Sequence, residues 1–387
     1  MMKTSTDRIL TTHVGSLPRP PDLAGLLASQ DKGEDIDQAA LEAAVSAAIL
    51  ESVWNQVEDG VDIVSDGEMG KMSYHIYAKH RLTGLKNHPG TGIPNRPTPL
   101  DIQDVPEMAV KGQSGLGPSR LQSVVCAGDV AHADMAPLDR DVAHFQAAID
   151  ESQPHDAFMN GASPGVLVNY VPNMHYPGND AYRDALVAAM RPEYEAIHAA
   201  GFVLQLDCPD LAGSRHTDQQ NLTDDEFLAF AEKNIEALNE ATKNIPPDAM
   251  RLHICWLNYA GPHTHDIPVS KLMKLLGRAR PQALLFEGAN PAHEHEWEDW
   301  KSPDLPNDKI LVPGVVDTTS NFVEHPRLIA QRICRYAGVV GRDRVIAGTD
   351  CGFGTYAGFP QVFPSVVRAK LKSMAEGARI ASEFLWS

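Results

Sequence analysis

The chain has 387 residues, 43% of them hydrophobic and 22% charged, which is ample apolar material for a large core. Its 33 basic and 51 acidic residues leave a formal net charge of −18, which repels phosphate backbones and anionic bilayers and excludes nucleic acid and membrane surfaces as expected partners. No window approaches a membrane span and the first residues carry no signal-type apolar stretch, so the expected location is the cytoplasm.

In chain order, Ile9–Ser16 reads as a first strand. Residues 37–58 set Leu41, Val45, Ile49 and Val53 at helical spacing and lead into a strand over Gly60–Val64 that ends at Ser65-Asp-Gly-Glu68. The Pro- and Gly-rich stretch from about 85 to 130 breaks this rhythm and reads as an insertion, a hairpin or lid beside the end of the fold that carries the chemistry. Strands follow at Ala157–Ala162, at Phe202–Asp207 after a helix over 180–199, and at Arg251–Cys255 after a helix opened by the capping pattern Thr223-Asp-Asp-Glu226. A helix over 269–278 precedes Ala283–Glu287. The next strand is Ile310–Asp317, and a helix over 326–337 precedes Arg344–Asp350. Alternating helices and apolar strands define parallel α/β architecture, and eight strands close naturally as a (β/α)8 barrel over residues 1–387. A doubly wound open sheet is the alternative, but no G-x-G-x-x-G turn follows an early strand.

Five cysteines, at 126, 208, 255, 334 and 351, form no C-x-x-C pair, so reduced thiols are expected rather than a disulfide framework or a zinc knuckle. His253 and Cys255 end one predicted strand and Cys351 ends another. An imidazole and two thiolates suit Zn²⁺, and a barrel brings strand ends about a hundred residues apart to one mouth. Glu287, at the end of the intervening strand, is the candidate fourth ligand; a carboxylate satisfied by a neighbouring helix N-terminus is the other reading of it. Cys255 and Cys351 likewise have a plainer reading as small buried apolar residues. His263-Thr-His265 and His293-Glu-His-Glu296 could bind metal, but neither gives the H-E-x-x-H pattern and both read as loop histidines, with His263 or His265 the candidate general acid at the mouth. Arg19 is either a partner for an anionic substrate group or a surface-loop arginine, Cys334 is a core residue of its helix, and Cys126 and Trp256 have no assignable role.

Five segments in order then carry a resemblance. Thr12-His-Val-Gly-Ser16, Asp66-Gly-Glu68, Cys126-Ala-Gly-Asp-Val130, Leu206-Asp-Cys-Pro209 and Gly348-Thr-Asp-Cys-Gly352 resemble the C-terminal catalytic module of cobalamin-independent methionine synthase and its single-module relatives. The resemblance implies Zn²⁺ held by His253, Cys255, Glu287 and Cys351, with Ser16, Glu68 and Asp207 binding the amino-acid part of homocysteine. It departs at Cys208, where the family has Glu, and at Thr319 in Asp317-Thr-Thr-Ser320, where the family has a proton-donating His. The implied activity is that of a zinc-dependent thiol alkyltransferase with a small-molecule thiol and a methyl or alkyl donor. Methyl transfer to homocysteine is the first expectation, with a donor other than methyltetrahydrofolate allowed by Thr319. Alternatives are the related epoxyalkane:coenzyme M transferase reaction and a structural zinc barrel without turnover.

Overall fold

The computed structural model describes residues 1–88, 96–110 and 123–387. Its strands are β1 (Ile63–Val64), β2 (Leu85–Asn87), β3 (Val124–Cys126), β4 (Asp156–Ala162), β5 (Val203–Asp207), β6 (Met250–His253), β7 (Ala283–Phe286), β8 (Ile310–Val316) and β9 (Gly348–Thr349). Seven of them form one parallel sheet in the order β1-β4-β5-β6-β7-β8-β9. The predicted strand Ile9–Ser16 is reduced to single parallel bridges, from Thr11 to Ala347 and from Thr12 to Ile63. Those bridges join the two edges of the sheet, so the barrel closes through the first strand as expected, though with far less ladder than a full strand supplies. The strands predicted over 60–64 and 344–350 are likewise shortened to Ile63–Val64 and Gly348–Thr349.

Residues two apart on a strand face the same side, and this parity sorts the barrel. Leu10, Ile63, Phe158, Val203, Ala283, Leu285, Ile310, Val312 and Ile346 form one buried apolar cluster inside it, each of the larger side chains contributing about 1.5–3 kcal/mol. Beyond Val203, the inward positions of β5 and β6 are polar: Gln205 and Asp207 on one strand, Arg251 and His253 on the next. The Arg251 guanidinium crosses the interior to Thr12 Oγ1 (3.0 Å) and the His13 carbonyl (2.6 Å). Apolar residues on the outer faces of the strands pack against the helices in a second, larger cluster.

The helices over Gln38–Glu58, Asn179–Ala199, Asp224–Ala241, Val269–Arg278 and Pro326–Val340 fall within a few residues of expectation. Asp37 accepts from the amides of Ala39 and Ala40, and Thr223 with Glu226 forms a capping box, so sequence-local chemistry starts two of them. Helices at Pro21–Lys32, Ala136–Ser152 and Pro164–Tyr170, and the long Pro364–Leu385 helix, complete the outer layer. Cys334 is only partly buried on its helix, not a full core residue. Among the described residues no helix is long and apolar enough to cross a membrane.

The expected insertion is a two-stranded antiparallel ladder, β2 with β3, pairing Leu85 with Cys126 and Asn87 with Val124. Between them a short helix, Leu100–Asp104, lies over the loops that follow β5 and β6. Arg96 pairs with Asp218 (2.8 Å), Asp101 accepts from the Tyr259 hydroxyl (2.5 Å) and the His263 amide (2.8 Å), and Asp104 pairs with His265 (2.6 Å). The lid-like position is therefore real for the described part; residues 89–95 and 111–122 of the expected insertion lie outside the described residues.

Candidate metal centre at the barrel mouth

β6 ends at His253, and the chain continues through Ile254 to Cys255, so inward parity delivers both side chains to the same mouth. The main chain is held there by Cys208 N–H donating to the His253 carbonyl (2.8 Å) and Ile254 N–H to the Leu285 carbonyl (2.9 Å). Cys351 follows β9. Its Sγ lies 3.3 Å from that of Cys255, both thiols are free and buried, and with His253 they form a compact potential metal-binding group. Glu287 sits beside them: Oε1 is 3.6 Å from Cys351 Sγ and accepts from the Trp256 amide (2.8 Å), while Oε2 accepts from Asn290 (2.7 Å). Three of the four predicted ligands thus converge, and the fourth stands at their edge already satisfied by its neighbours.

His253 tests whether a metal fits. Its Nδ1 faces Asp207 Oδ1 at 3.3 Å, whereas Nε2 is buried and has no hydrogen-bond partner. A buried imidazole nitrogen without a partner costs about 1–3 kcal/mol, and a cation held with the two sulfurs removes that cost. The thiols make the same demand. Burial first, then the neighbouring Cys255 and Glu287, push the Cys351 thiol well above its ordinary range, so a nearby cation would favour its thiolate. Nitrogen, sulfur and carboxylate donors in this mixture suit zinc.

The structure also brings Ser16, Glu68 and Asp207 to this mouth. Ser16 packs against Gly352, where a Cβ would lie 2.0 Å from Ser16 Oγ, so any side chain after Cys351 would displace the Ser16 hydroxyl. Glu68 is buried with a left-handed φ of 56° and lies 3.5 Å from Arg19. Burial, partly offset by Lys71 and Arg19, raises its carboxyl to about 7. Arg19 is accordingly neither a surface-loop arginine nor a free anion receptor: it is fully buried and donates to the carbonyls of Leu17 and Lys71 (3.0 Å each). Asp207 accepts from Asn160 and Gln205 (2.9 Å each) as well as facing His253. Such a partner fixes the tautomer and aim of a ligating imidazole. Asp207→Asn is expected to weaken metal affinity about 10–100-fold, read by competition with a chelator; unchanged affinity would remove Asp207 from the ligand support.

Sequence reading passed over Asp350. Its carboxylate accepts the amides of Gly288 (2.8 Å), Ala289 (2.8 Å) and Asn290 (2.9 Å), and so pins the turn that carries Glu287. The signal was present, since Asp350 directly precedes a predicted ligand. Thr319 and Ser320 both fold back onto Asp317, with Thr319 Oγ1 donating at 2.8 Å. Cys208 is buried against the Leu206 carbonyl (3.6 Å) and takes no part in the cluster.

His263 and His293 are not solvated loop histidines. His263 Nδ1 lies 2.7 Å and His293 Nε2 3.0 Å from Asp266 Oδ2. Burial lowers both imidazoles, but Asp266 outweighs it and raises His263 to about 9 and His293 to about 10. His265, more exposed, is tied to Asp104 on the insertion. Trp256 is fully buried, its indole N–H donating to the Ile267 carbonyl (2.7 Å) and its ring 4.2 Å from that of His293. Left-handed backbone recurs around this mouth at Glu68, Leu257 and His263, where each non-glycine residue costs about 1–3 kcal/mol.

A parallel α/β barrel with a buried His-Cys-Cys cluster at its strand ends defines the class of molecule as a barrel with a candidate metal centre. Comparison with known proteins narrows it. No family model matches, but the chain is 22% identical over 380 residues to a methionine synthase of Saccharolobus solfataricus, covering 97% of this chain and 95% of that one. It is 24% identical over 382 residues to a 5-methyltetrahydropteroyltriglutamate–homocysteine methyltransferase of a Synechococcus species, spanning only 43% of that longer relative. Among solved structures, a B12-independent methionine synthase from a Shewanella species, in complex with selenomethionine, superposes with a TM-score of 0.71 at 18% identity, covering 98% of this chain and 99% of the other. The chain is thus similar along nearly its whole length to proteins named methionine synthase, and shares the fold of a B12-independent one.

Proposed function

We propose that this protein is a zinc-dependent thiol alkyltransferase that methylates homocysteine to methionine. The observation that carries the reading is the buried, partnerless His253 Nε2 beside two reduced thiols at strand ends, in a chain whose relatives are named for methyl transfer to homocysteine. His253, Cys255 and Cys351 would hold the metal, with Glu287 the displaceable fourth donor. Zinc in such a donor set lowers the pKa of a substrate thiol so that thiolate is present near neutral pH.

The chain's own residues supply the rest. Glu68 and Asp207 present carboxylates, and Ser16 a hydroxyl, suited to the ammonium group of an amino-acid thiol. The rings of Tyr74, Tyr170 and Tyr356 meet His75 in T-shaped and tilted contacts at 5.0–6.1 Å, an aromatic wall whose burial raises the Tyr74 and Tyr170 phenols, with nearby Cys255 adding to it. Such a wall excludes water and orients the electrophilic carbon, effects that can contribute several kcal/mol. In the transfer the substrate sulfur forms the new S–C bond, the carbon–donor bond breaks, and its electron pair leaves with the donor. Thr319 bears no titratable proton for that leaving group, which favours a donor that departs without protonation.

The test is thiol-induced proton release. The metal-loaded protein is mixed in turn with homocysteine and coenzyme M, and the expected result is about one proton per site with homocysteine alone. Release with coenzyme M alone would transfer the assignment to epoxide opening. Release with neither would leave a metal barrel without thiol chemistry.

A further inference from the structure

The loops after β5, β6 and β7 bring together a second donor set that contains no sulfur. His216 ends the short helical turn Gly213–His216, His263 and Asp266 lie in the loop after His253, and His293 opens the turn Glu294–Lys301. Asp266 is the hub: Oδ2 lies 2.7 Å from His263 Nδ1 and 3.0 Å from His293 Nε2, and Oδ1 lies 3.0 Å from His216 Nδ1. The side chains of His216, His293 and Asp266 are 1%, 3% and 6% exposed.

The far side of each ring decides what belongs in the middle. His263 Nε2 lies 3.0 Å from the Tyr259 carbonyl, which can only accept, so Nε2 carries a proton. His293 Nδ1 is 2.9 Å from Glu296 Oε2, whose other oxygen is anchored by the Val269 amide (2.8 Å), so Nδ1 carries one too. In neutral rings both inward nitrogens therefore present lone pairs to a carboxylate, an arrangement that requires a cation between them. Ring nitrogens that donate outward to a carbonyl or carboxylate are the usual support of a metal-bound imidazole.

His216 separates the two cations that can fill this role. Two extra protons, on His263 and His293, would balance Asp266 and Glu296, but they leave the buried His216 Nδ1 facing Asp266 Oδ1 at 3.0 Å outside hydrogen-bond geometry, and its Nε2 without a partner. An ion among His263, His293 and Asp266, whose donor atoms lie within 4.8 Å of one another, that also draws in His216 Nδ1 satisfies the inward-facing atoms and leaves only His216 Nε2 without a partner. We propose that His263, His293 and Asp266, with His216 at their edge as a further imidazole, form a second metal site for a divalent transition ion of the zinc class. Three imidazoles and one carboxylate suit zinc, cobalt or iron rather than magnesium or calcium, which prefer all-oxygen shells. The site does not rest on the proposed reaction. Its mechanical link to the thiol cluster is Trp256, which stacks on His293 and donates its amide to Glu287, so an ion here would hold the loop bearing Cys255 in place.

Cobalt(II) reconstitution of the metal-free protein tests the proposal, because thiolate ligation gives an intense near-ultraviolet charge-transfer band and nitrogen–oxygen ligation does not. Wild type is expected to take up about two equivalents, only one of them with that band. His216→Gln/His293→Gln should retain about one equivalent with the band, and Cys255→Ser/Cys351→Ser about one without it. A mercurial that titrates thiols should release only half of the metal from wild type, a readout independent of whether the variants fold. Uptake of a single equivalent by wild type, all of it thiolate-bound and mercurial-released, would overturn the second site and leave the proton-bridged cluster. That outcome leaves the thiolate centre intact; absence of the charge-transfer band would instead count against the first site.

Discussion

Cys351→Ser should leave a folded protein that has lost its thiolate-bound metal and turns over roughly 10³-fold more slowly, the loss expected when several kcal/mol of Lewis-acid stabilisation disappear. The reasoning starts with packing. Serine is smaller than cysteine and fits beside Gly352 and Ser16, so the barrel end need not rearrange. Its hydroxyl is a far poorer donor to a borderline-soft ion, and it leaves Cys255 with one sulfur neighbour fewer. Circular dichroism, metal content and turnover measured together distinguish the outcomes. Unfolding would make the cluster primarily structural, and full activity with normal metal content would remove Cys351 from the ligand set. Less than roughly half an equivalent of zinc in carefully purified wild type would sink the mechanism before any variant is made.

The largest expected effect on stability is at Arg251. No carboxylate pairs with its guanidinium among the described residues; instead it donates to Gln205 Oε1 (2.6 Å), Thr12 Oγ1 and the His13 carbonyl, and lies 3.6 Å over the Phe158 ring. Burial, partly offset by Asp207 and Asp156, pulls this guanidinium down to about 9. Arg251→Met relieves that desolvation but strands Gln205 Oε1 and the His13 carbonyl. Charge-assisted hydrogen bonds at about 1.5–3 kcal/mol each outweigh the relief, so a net loss of about 3 kcal/mol is expected against a total stability of about 5–15 kcal/mol. A urea midpoint at or above that of wild type would show that desolvation dominates instead.

Much of the barrel was legible because its central strands are buried on both faces and read as short apolar runs, while helix starts announced themselves through Asp37 and Thr223. The closing strand was overestimated because apolar character does not report ladder length: Thr11 and Thr12 bridge their neighbours, but the rest of Ile9–Ser16 does not. Among the predicted ligands, His253, Cys255 and Cys351 converge because strand parity fixes them. Glu287 stands one step aside because the Trp256 amide and Asn290 compete for its oxygens. The histidine cluster around Asp266 has no spacing motif, its members being scattered over three loops. A barrel reading nevertheless contains the clue, since loops after consecutive strands β5, β6 and β7 share one mouth, and each carries a histidine.

The slender seam at Thr11 and Thr12 has a consequence for the life of the chain before it works. Val14 N–H donates to Thr349 Oγ1 across 335 residues of sequence, and Ala347 N–H donates to the Leu10 carbonyl. At translation speeds of about 5–20 residues per second, the N-terminal strand waits roughly 20–70 s for the partner that completes its cylinder. During that interval β1 and β4 can pair, yet the apolar lining that includes Leu10, Phe158 and Ile346 remains open to the surroundings. A nascent chain of this design keeps apolar surface exposed until its last strand leaves the ribosome.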